Sequence, residues 1–198
     1  MLAFLDLETT GLDSESDDIL EVACVVTEDD LQEVARYHSV LVAHRPFHRL
    51  PEVVRDMHAK SGLWDEATGG SKKAAKTLGA VDQDLSTFLR AHAVRIQKRD
   101  DGTPVIERAQ LAGLGVYFDR MFMKRCLPRA EAELHYRQLD LTGVNELFAR
   151  FRPSVYEGRP KHPVVHRAMP DVLEAIDVAR YYGAWIGSPE HGANTGTP

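Results

Sequence analysis

The sequence predicts an α/β fold: a mixed five-stranded sheet, opened by three antiparallel strands and flanked by helices. Three observations predict it. Two segments, the mostly apolar residues 2–7 and the β-branched residues 19–27, lie near the amino end with a short turn between them, and short connections favour antiparallel pairing. Leu78, Val81, Leu85, Phe88 and Leu89 recur at helical spacing within residues 74–92. Beyond residue 109, strand-like and helix-like segments alternate, which places helices against a sheet.

The elements follow in order. Residues 2–7 read as a buried strand, 11–18 as the turn, 19–27 as the second strand and 37–43 as the third. A short helix covers 53–63, followed by a Gly69-Gly70-Ser71 loop and the long helix of 74–92. Residues 95–108 form two short arms around Asp100-Asp101-Gly102, the signature of an exposed hairpin. Residues 109–116 are a core strand, 117–126 a helix stopped by Pro128, and 134–141 a further strand. Thr142 caps a helix over 142–151. After a loop at 161–165, a helix over 170–182 carries Pro in its first turn and Gly183 past its end. Residues 1–186 are expected to form one domain, and the polar, Gly/Pro-rich stretch 187–198 a frayed tail.

Composition narrows the function. The 198 residues are 43% hydrophobic and 27% charged, as in an ordinary globular protein with a sizeable core. A net charge of -6 argues against a nucleic-acid coat protein, so any strand-binding surface must be local. No apolar run approaches the ~20 residues that span a bilayer, and Asp6 interrupts the apolar opening too early for a signal peptide. Cys24 and Cys126 sit in apolar stretches, without the spacing of a disulfide framework or a zinc site. Together these predict a soluble cytoplasmic protein.

The chemistry is carried by acids. Asp6 and Glu8 are two residues apart, so on a strand both point to one face, where they repel unless a cation lies between them. Asp119 and Asp171 each open a helix, and alone each is an ordinary first-turn acid. His166 alone is a loop histidine. Together, three distant segments offer four carboxylates and one imidazole, a set able to hold two hard divalent cations and a general base, as phosphodiester hydrolysis requires.

In this order and on these elements, Asp6, Glu8, Asp119 and Asp171, with His166 five residues before the last acid, resemble the 3′→5′ exonucleases of the DEDD type with a histidine base, on a ribonuclease-H-like fold. Thr10-Gly11-Leu12, His58 with Ser61-Gly62-Leu63, His135-Tyr136-Arg137-Gln138-Leu139-Asp140 and Asn145-Glu146-Leu147 resemble the oligoribonuclease branch. The resemblance implies hydrolysis of short single-stranded RNA or DNA to nucleoside 5′-monophosphates. It implies two ions, Mg²⁺ or Mn²⁺, bridged by Asp6, with Glu8 and Asp171 completing the shells and Asp119 on the second ion. His166 is implied as the base, and Glu8 also as a receiver of the terminal 3′-hydroxyl. Substrate contacts are implied for Thr9, Thr10 and Gly11, for Leu12 as a wedge between bases, and for His58 at a phosphate. Tyr136 and Arg137 are implied to cap a 5′ phosphate across a homodimer.

The bland alternatives are a Leu12 tucked into the core, a His58 on a helix surface, and a Tyr136–Arg137 pair on an exposed sheet face. The pattern is broken at Val53, near which the family has an aromatic wedge, at Leu114 and Gly115, where polar residues are usual, and by the 95–108 insertion. Basic runs at Lys72, Lys73 and Lys76, at Arg95, Lys98 and Arg99, and at Arg120, Lys124 and Arg125 are either solvated faces or a guide for a phosphate backbone. A proofreading or repair-type DNA exonuclease and an inactive nucleic-acid-binding domain are the competing readings.

Overall fold

Alternation along the first strand sets the layers of the molecule. The computed structural model describes residues 1–69 and 75–187. In chain order its elements are β1 (Leu2–Thr9), β2 (Ile19–Thr27), β3 (Glu33–Val40), α1 (Glu52–Lys60), α2 (Leu63–Ala67), α3 (Leu78–His92), β4 (Val94–Lys98), β5 (Pro104–Arg108), β6 (Gln110–Gly113), α4 (Val116–Cys126), α5 (Pro128–Glu131), β7 (His135–Asp140), α6 (Leu141–Phe151), α7 (Pro153–Glu157) and α8 (Ala168–Ile186). The main sheet runs β3-β2-β1-β6-β7, antiparallel through the first three strands and parallel from β1 to β7. This is the expected mixed five-stranded sheet.

Ala3, Leu5 and Leu7 of β1 and Val22, Cys24 and Val26 of β2 face α3 and α4, packing on Val81, Leu85, Leu89, Phe122 and Met123. Phe4, Ala23 and Val25 face the other way, onto Val172, Ile176 and Tyr182 of α8. A period of two then sends Asp6, Glu8 and Glu21 to the α8 face. Fully burying each such Leu or Phe contributes about 1.5–3 kcal/mol, so both faces hold the sheet firmly beneath these acids. Among the described residues no helix is long and apolar enough to cross a membrane.

Several boundaries differ from expectation, each for a physical reason. β1 runs on to Thr9, because β2 continues to pair with it through a register shift after Glu8, Thr9 lying opposite Ile19. The third strand is Glu33–Val40, not 37–43, since the N–H groups of Val42 and Ala43 leave β2 for Lys76 and Ala67. The helix expected over 53–63 is two helices, divided at Gly62, whose φ of 73° only glycine adopts readily. The 109–116 strand stops at Gly113, and α4 begins at Val116. Pro128 ends α4 but also starts α5, where a missing N–H is harmless. Thr142 is not the cap of α6: its own N–H donates to Asp140, which is. α7 was unforeseen. α8 passes through Gly183 to Ile186, because Tyr182 and Trp185 continue its packing face against Phe148. The 95–108 hairpin forms as β4 and β5, a separate two-stranded sheet. Residues 70–74 and 188–198, which include most of the Gly-Gly-Ser loop, Lys72, Lys73 and nearly all of the tail, lie outside the described residues.

Candidate active site

The site lies where β1 outruns its neighbour. β6 pairs with β1 only as far as Phe4, so the end of β1 has an open flank. Asp119, one turn into α4, fills that flank: its Oδ1 accepts the Leu7 N–H at 2.9 Å. On the α8 face, Asp6, Glu8 and Asp171 offer one oxygen each, all within 4.8 Å of one another. The structure thus gathers the four predicted acids from three distant segments, with Asp119 behind Asp6 rather than inside the close triplet.

The electrostatics are those of a cluster short of countercharge: Arg167 lowers Glu8, but its guanidinium is bonded to Glu21 and Glu66. Burial, then Asp119, Glu8 and Asp171, holds Asp6 well above the usual carboxylate range. Burial, then Asp171 and Glu21, pushes Glu8 up to about 8. Burial pushes Asp119 up to about 7, against the Leu7 hydrogen bond that lowers it. Burial and Glu174 push Asp171 up to about 6, opposed by His166. Four acids that resist ionising, Glu8 and Asp119 buried and Asp6 and Asp171 partly so, are a site whose anionic form needs a cation, and an all-oxygen set suits a hard one.

His166 stands half-buried beside this cluster with φ at 51°, a left-handed conformation that side chains with a Cβ rarely adopt. It lines an open cleft of about 500 Å³ between Met57, Lys60 and Ser61 at the end of α1 and the segment from Val164 to Arg167.

Two residues here escaped the sequence reading. Glu21 lies opposite Glu8 across β1 and β2 and is 1% exposed. Its carboxylate accepts from His38 Nε2 at 2.6 Å, Arg167 Nη2 at 2.8 Å and Nε at 3.1 Å, and the Ala168 N–H at 3.0 Å. Arg167 also donates to Glu66 of α2 at 3.0 and 3.2 Å. The signal was available: a lone acid inside Ile-Leu-Glu-Val-Ala-Cys-Val-Val must find a partner if the strand is buried.

A family model described as "Exonuclease" (RNase_T) matches residues 3–179. The chain is 32% identical over 196 residues to an oligoribonuclease of Rhodococcus jostii, covering 98% of this chain and 92% of that one. It is 33% identical over 200 residues to an oligoribonuclease of Streptomyces avermitilis, covering 99% and 92%. The chain belongs to the RNase_T exonuclease family. Among solved structures, an E. coli exonuclease I–single-stranded DNA complex in its zinc-bound form superposes with a TM-score of 0.66 at 15% identity, over 93% of this chain and 40% of that one. That likeness shows the shared fold. The expected class, a 3′→5′ exonuclease hydrolysing short oligonucleotides, stands with these findings.

The remaining predicted residues of this exonuclease fall into two groups. The first builds the loop after β1. Thr9 Oγ1 donates to the Gly11 carbonyl at 2.7 Å, and Thr10 Oγ1 accepts the Asp18 N–H at 2.9 Å. Gly11 is required by close approach, since a Cβ there would lie 2.3 Å from Asp17 Oδ2. His58, expected at a surface or a phosphate, is fully buried, and its Nε2 donates to the Thr9 carbonyl at 2.8 Å. Burial lowers its pKa and favours the neutral ring. Its Nδ1 has no hydrogen-bond partner among the described residues.

The second group is exposed. Leu12 is 82% exposed, so it is not tucked into the core. Tyr136 and Arg137 project from the edge strand β7, with Arg137 Nε 3.0 Å from the Tyr136 hydroxyl. Val53 is exposed, and Trp64 packs on Phe47. Four members of the basic runs are committed within the fold. Arg120 is buried, donating to Glu131 and to the carbonyls of His135, Tyr136 and Arg137. Arg125 donates to the Asp17 carbonyl, Arg95 pairs with Glu28 and Asp29, and Lys76 pairs with Asp84.

Proposed function

We propose that this exonuclease cleaves the 3′-terminal phosphodiester of short single-stranded RNA or DNA by two-ion hydrolysis, with Asp6, Glu8, Asp119 and Asp171 holding Mg²⁺ or Mn²⁺. The observation that carries the reading is the Asp6–Glu8–Asp171 triplet, with oxygens within 4.8 Å of one another and Asp6 and Glu8 held well above the usual carboxylate range. Divalent ions bound there supply charge neutralisation for the phosphoryl group and make water acidic enough to attack.

The chain's own groups do the rest. A ring nitrogen of His166 accepts the proton of the attacking water. Glu8, at the outer end of β1, receives the terminal 3′-hydroxyl. Leu12, exposed on a loop braced by Thr9, Thr10 and Asp17, separates the last two bases. His58 supports that loop from below through Thr9. Arg137 and Tyr136, already paired to each other, cap a 5′ phosphate, the guanidinium by charge-assisted bonds. Their place on an exposed edge suits a cap delivered to a second copy, which makes the active species a homodimer with a self-complementary interface. The two free, buried cysteines fit a reducing cytoplasm.

The test is turnover on 5′-phosphorylated RNA and DNA from about two to about twenty residues, with Mg²⁺, Mn²⁺ or EDTA, alongside the solution mass. Short chains alone engage ions and cap together, so they should turn over fastest. Arg137→Ala should weaken binding of 5′-phosphorylated dinucleotides far more than of unphosphorylated ones. A monomer that prefers the longest strands would point instead to a DNA exonuclease of proofreading or repair type.

A further inference from the structure

We infer that Arg167 is a positioning residue: clamped between Glu21 of β2 and Glu66 of α2, it holds His166 in its left-handed backbone conformation beside the acid cluster. The inference rests on the exonuclease reading for its catalytic consequence, but its structural content stands apart from activity.

Residues 160–167 have no regular secondary structure, and 161–165 are exposed. Such a segment does not by itself hold a catalytic side chain in place. At its upstream end, His162 meets Asp177 at 3.4 Å, an exposed pair that water screens. At its downstream end the constraint is of another kind. The Arg167 guanidinium reaches Glu21 at 2.8 Å, Glu66 at 3.0 Å and the Ser61 carbonyl at 3.4 Å, and the next N–H, of Ala168, also enters Glu21 at 3.0 Å. Two carboxylates from elements 146 and 101 residues away thus grip one planar fork. His166 is the residue immediately before it, with φ at 51°. A left-handed conformation persists in a residue with a Cβ only where the surroundings over-determine it, and the clamp is the surrounding constraint.

Fork geometry matters here, because a lysine offers a point charge and cannot bridge both carboxylates in one plane. A simpler role, neutralising the buried Glu21, predicts a loss of stability but no selective loosening of the segment and no coupling to His166.

The experiment uses the full chain with Arg167→Ala, Arg167→Lys and the milder Glu66→Gln, which leaves Glu21 paired. In metal-free protein, amide exchange at Ala168 and Asp171, whose N–H groups are held by Glu21 and by the Arg167 carbonyl, should accelerate, while β2 and the body of α8 stay protected. In Mn²⁺, kcat on a 5′-phosphorylated dinucleotide should fall by roughly 10²-fold in Arg167→Ala, the scale of a misplaced catalytic group, with KM and Mn²⁺ affinity near wild type. Arg167→Lys should not restore it. Adding Arg167→Ala to His166→Ala should lower kcat no further, and guanidinium ion should partly rescue Arg167→Ala but not His166→Ala. Unchanged exchange in folded Arg167→Ala, wild-type kcat, or a fully multiplicative loss in the double variant would overturn the inference. If Arg167→Ala does not fold, Glu66→Gln decides, with a smaller effect of the same pattern expected and no effect overturning it. A wild type without nuclease activity would sink the exonuclease reading, and the exchange comparison would still decide the clamp.

Discussion

Glu8 and Glu21 sit opposite each other on adjacent strands and point to the same face, yet their chemistry diverges. Burial and neighbouring acids push Glu8 up to about 8. Burial also pushes Glu21 up, but His38, Arg167 and the Ala168 N–H overcome it and bring Glu21 down to about 2. A carboxylate with its lone pairs filled by four donors has none left for a cation, so Glu21 is structural and Glu8 is available. Asp6→Asn or Asp171→Asn should therefore abolish nuclease activity while leaving the metal-free protein as stable as wild type or more so, because each removes repulsion. A folded variant with wild-type turnover in Mn²⁺ would disprove the metal site. His166→Ala should lower kcat by about 10²–10⁴-fold, the usual cost of losing a general base, while titration shows Mn²⁺ binding retained.

At the scale of elements, one side chain organises two helices. Asp140, at the end of β7, accepts the N–H groups of Gly115 at 3.0 Å and Tyr117 at 3.3 Å at the start of α4, and of Thr142 at 3.0 Å at the start of α6. α4 carries Asp119, so this cap also sets where that acid stands. Asp140→Ala should cost about 0.5–2 kcal/mol for each cap lost, read as a lower urea midpoint with an unchanged slope. Arg120 belongs to the same corner, holding three carbonyls of β7. Arg120→Ala should destabilise the fold by about 3 kcal/mol or more, as when a buried pair loses one partner. It should leave the salt dependence of oligonucleotide binding unchanged; a flatter salt slope with unaltered stability would return Arg120 to the phosphate path.

At the scale of the whole molecule, burial first and mutual repulsion second disfavour ionised acids at one end of the sheet. Asp171, Asp119 and Glu8 are raised to about 6, 7 and 8, and Asp6 is raised with them. A carboxylate raised on folding binds its proton more tightly in the native state, so its contribution to stability is complete below about 4 and is lost as pH rises through those values. Metal-free protein should accordingly melt at a lower temperature at pH 8 than at pH 5. Mn²⁺ or Mg²⁺ should raise the melting temperature most at pH 8, where the ligands are ionised. Saturation at 100 times Kd corresponds to about 2.7 kcal/mol. A melting temperature in EDTA that rises from pH 5 to pH 8, or ions that stabilise equally at both, would contradict a carboxylate cage.

The sequence by itself determined the fold class, the five strands of the main sheet and the four acids with His166, because strand periodicity and the resemblance both act through residue type and spacing. Asp6 and Glu8 on one face followed from a period of two, and the hairpin from Asp-Asp-Gly between two arms. Tertiary structure alone decided the rest. Thr142 had the right chemistry for a cap, but pairing with β6 runs β7 as far as Asp140, and that residue, directly before α6, takes the role. Gly183 had the right chemistry for a helix end, but packing of Tyr182 and Trp185 on Phe148 carried the helix past it. Glu21, Arg167 and Glu66 are far apart in the chain, and nothing local pairs them. His58 reads as a surface residue until α1 folds over the end of β1. Local chemistry states what a residue can do, but hydrogen-bond partners and burial belong to segments that meet only when the sheet and its helices close.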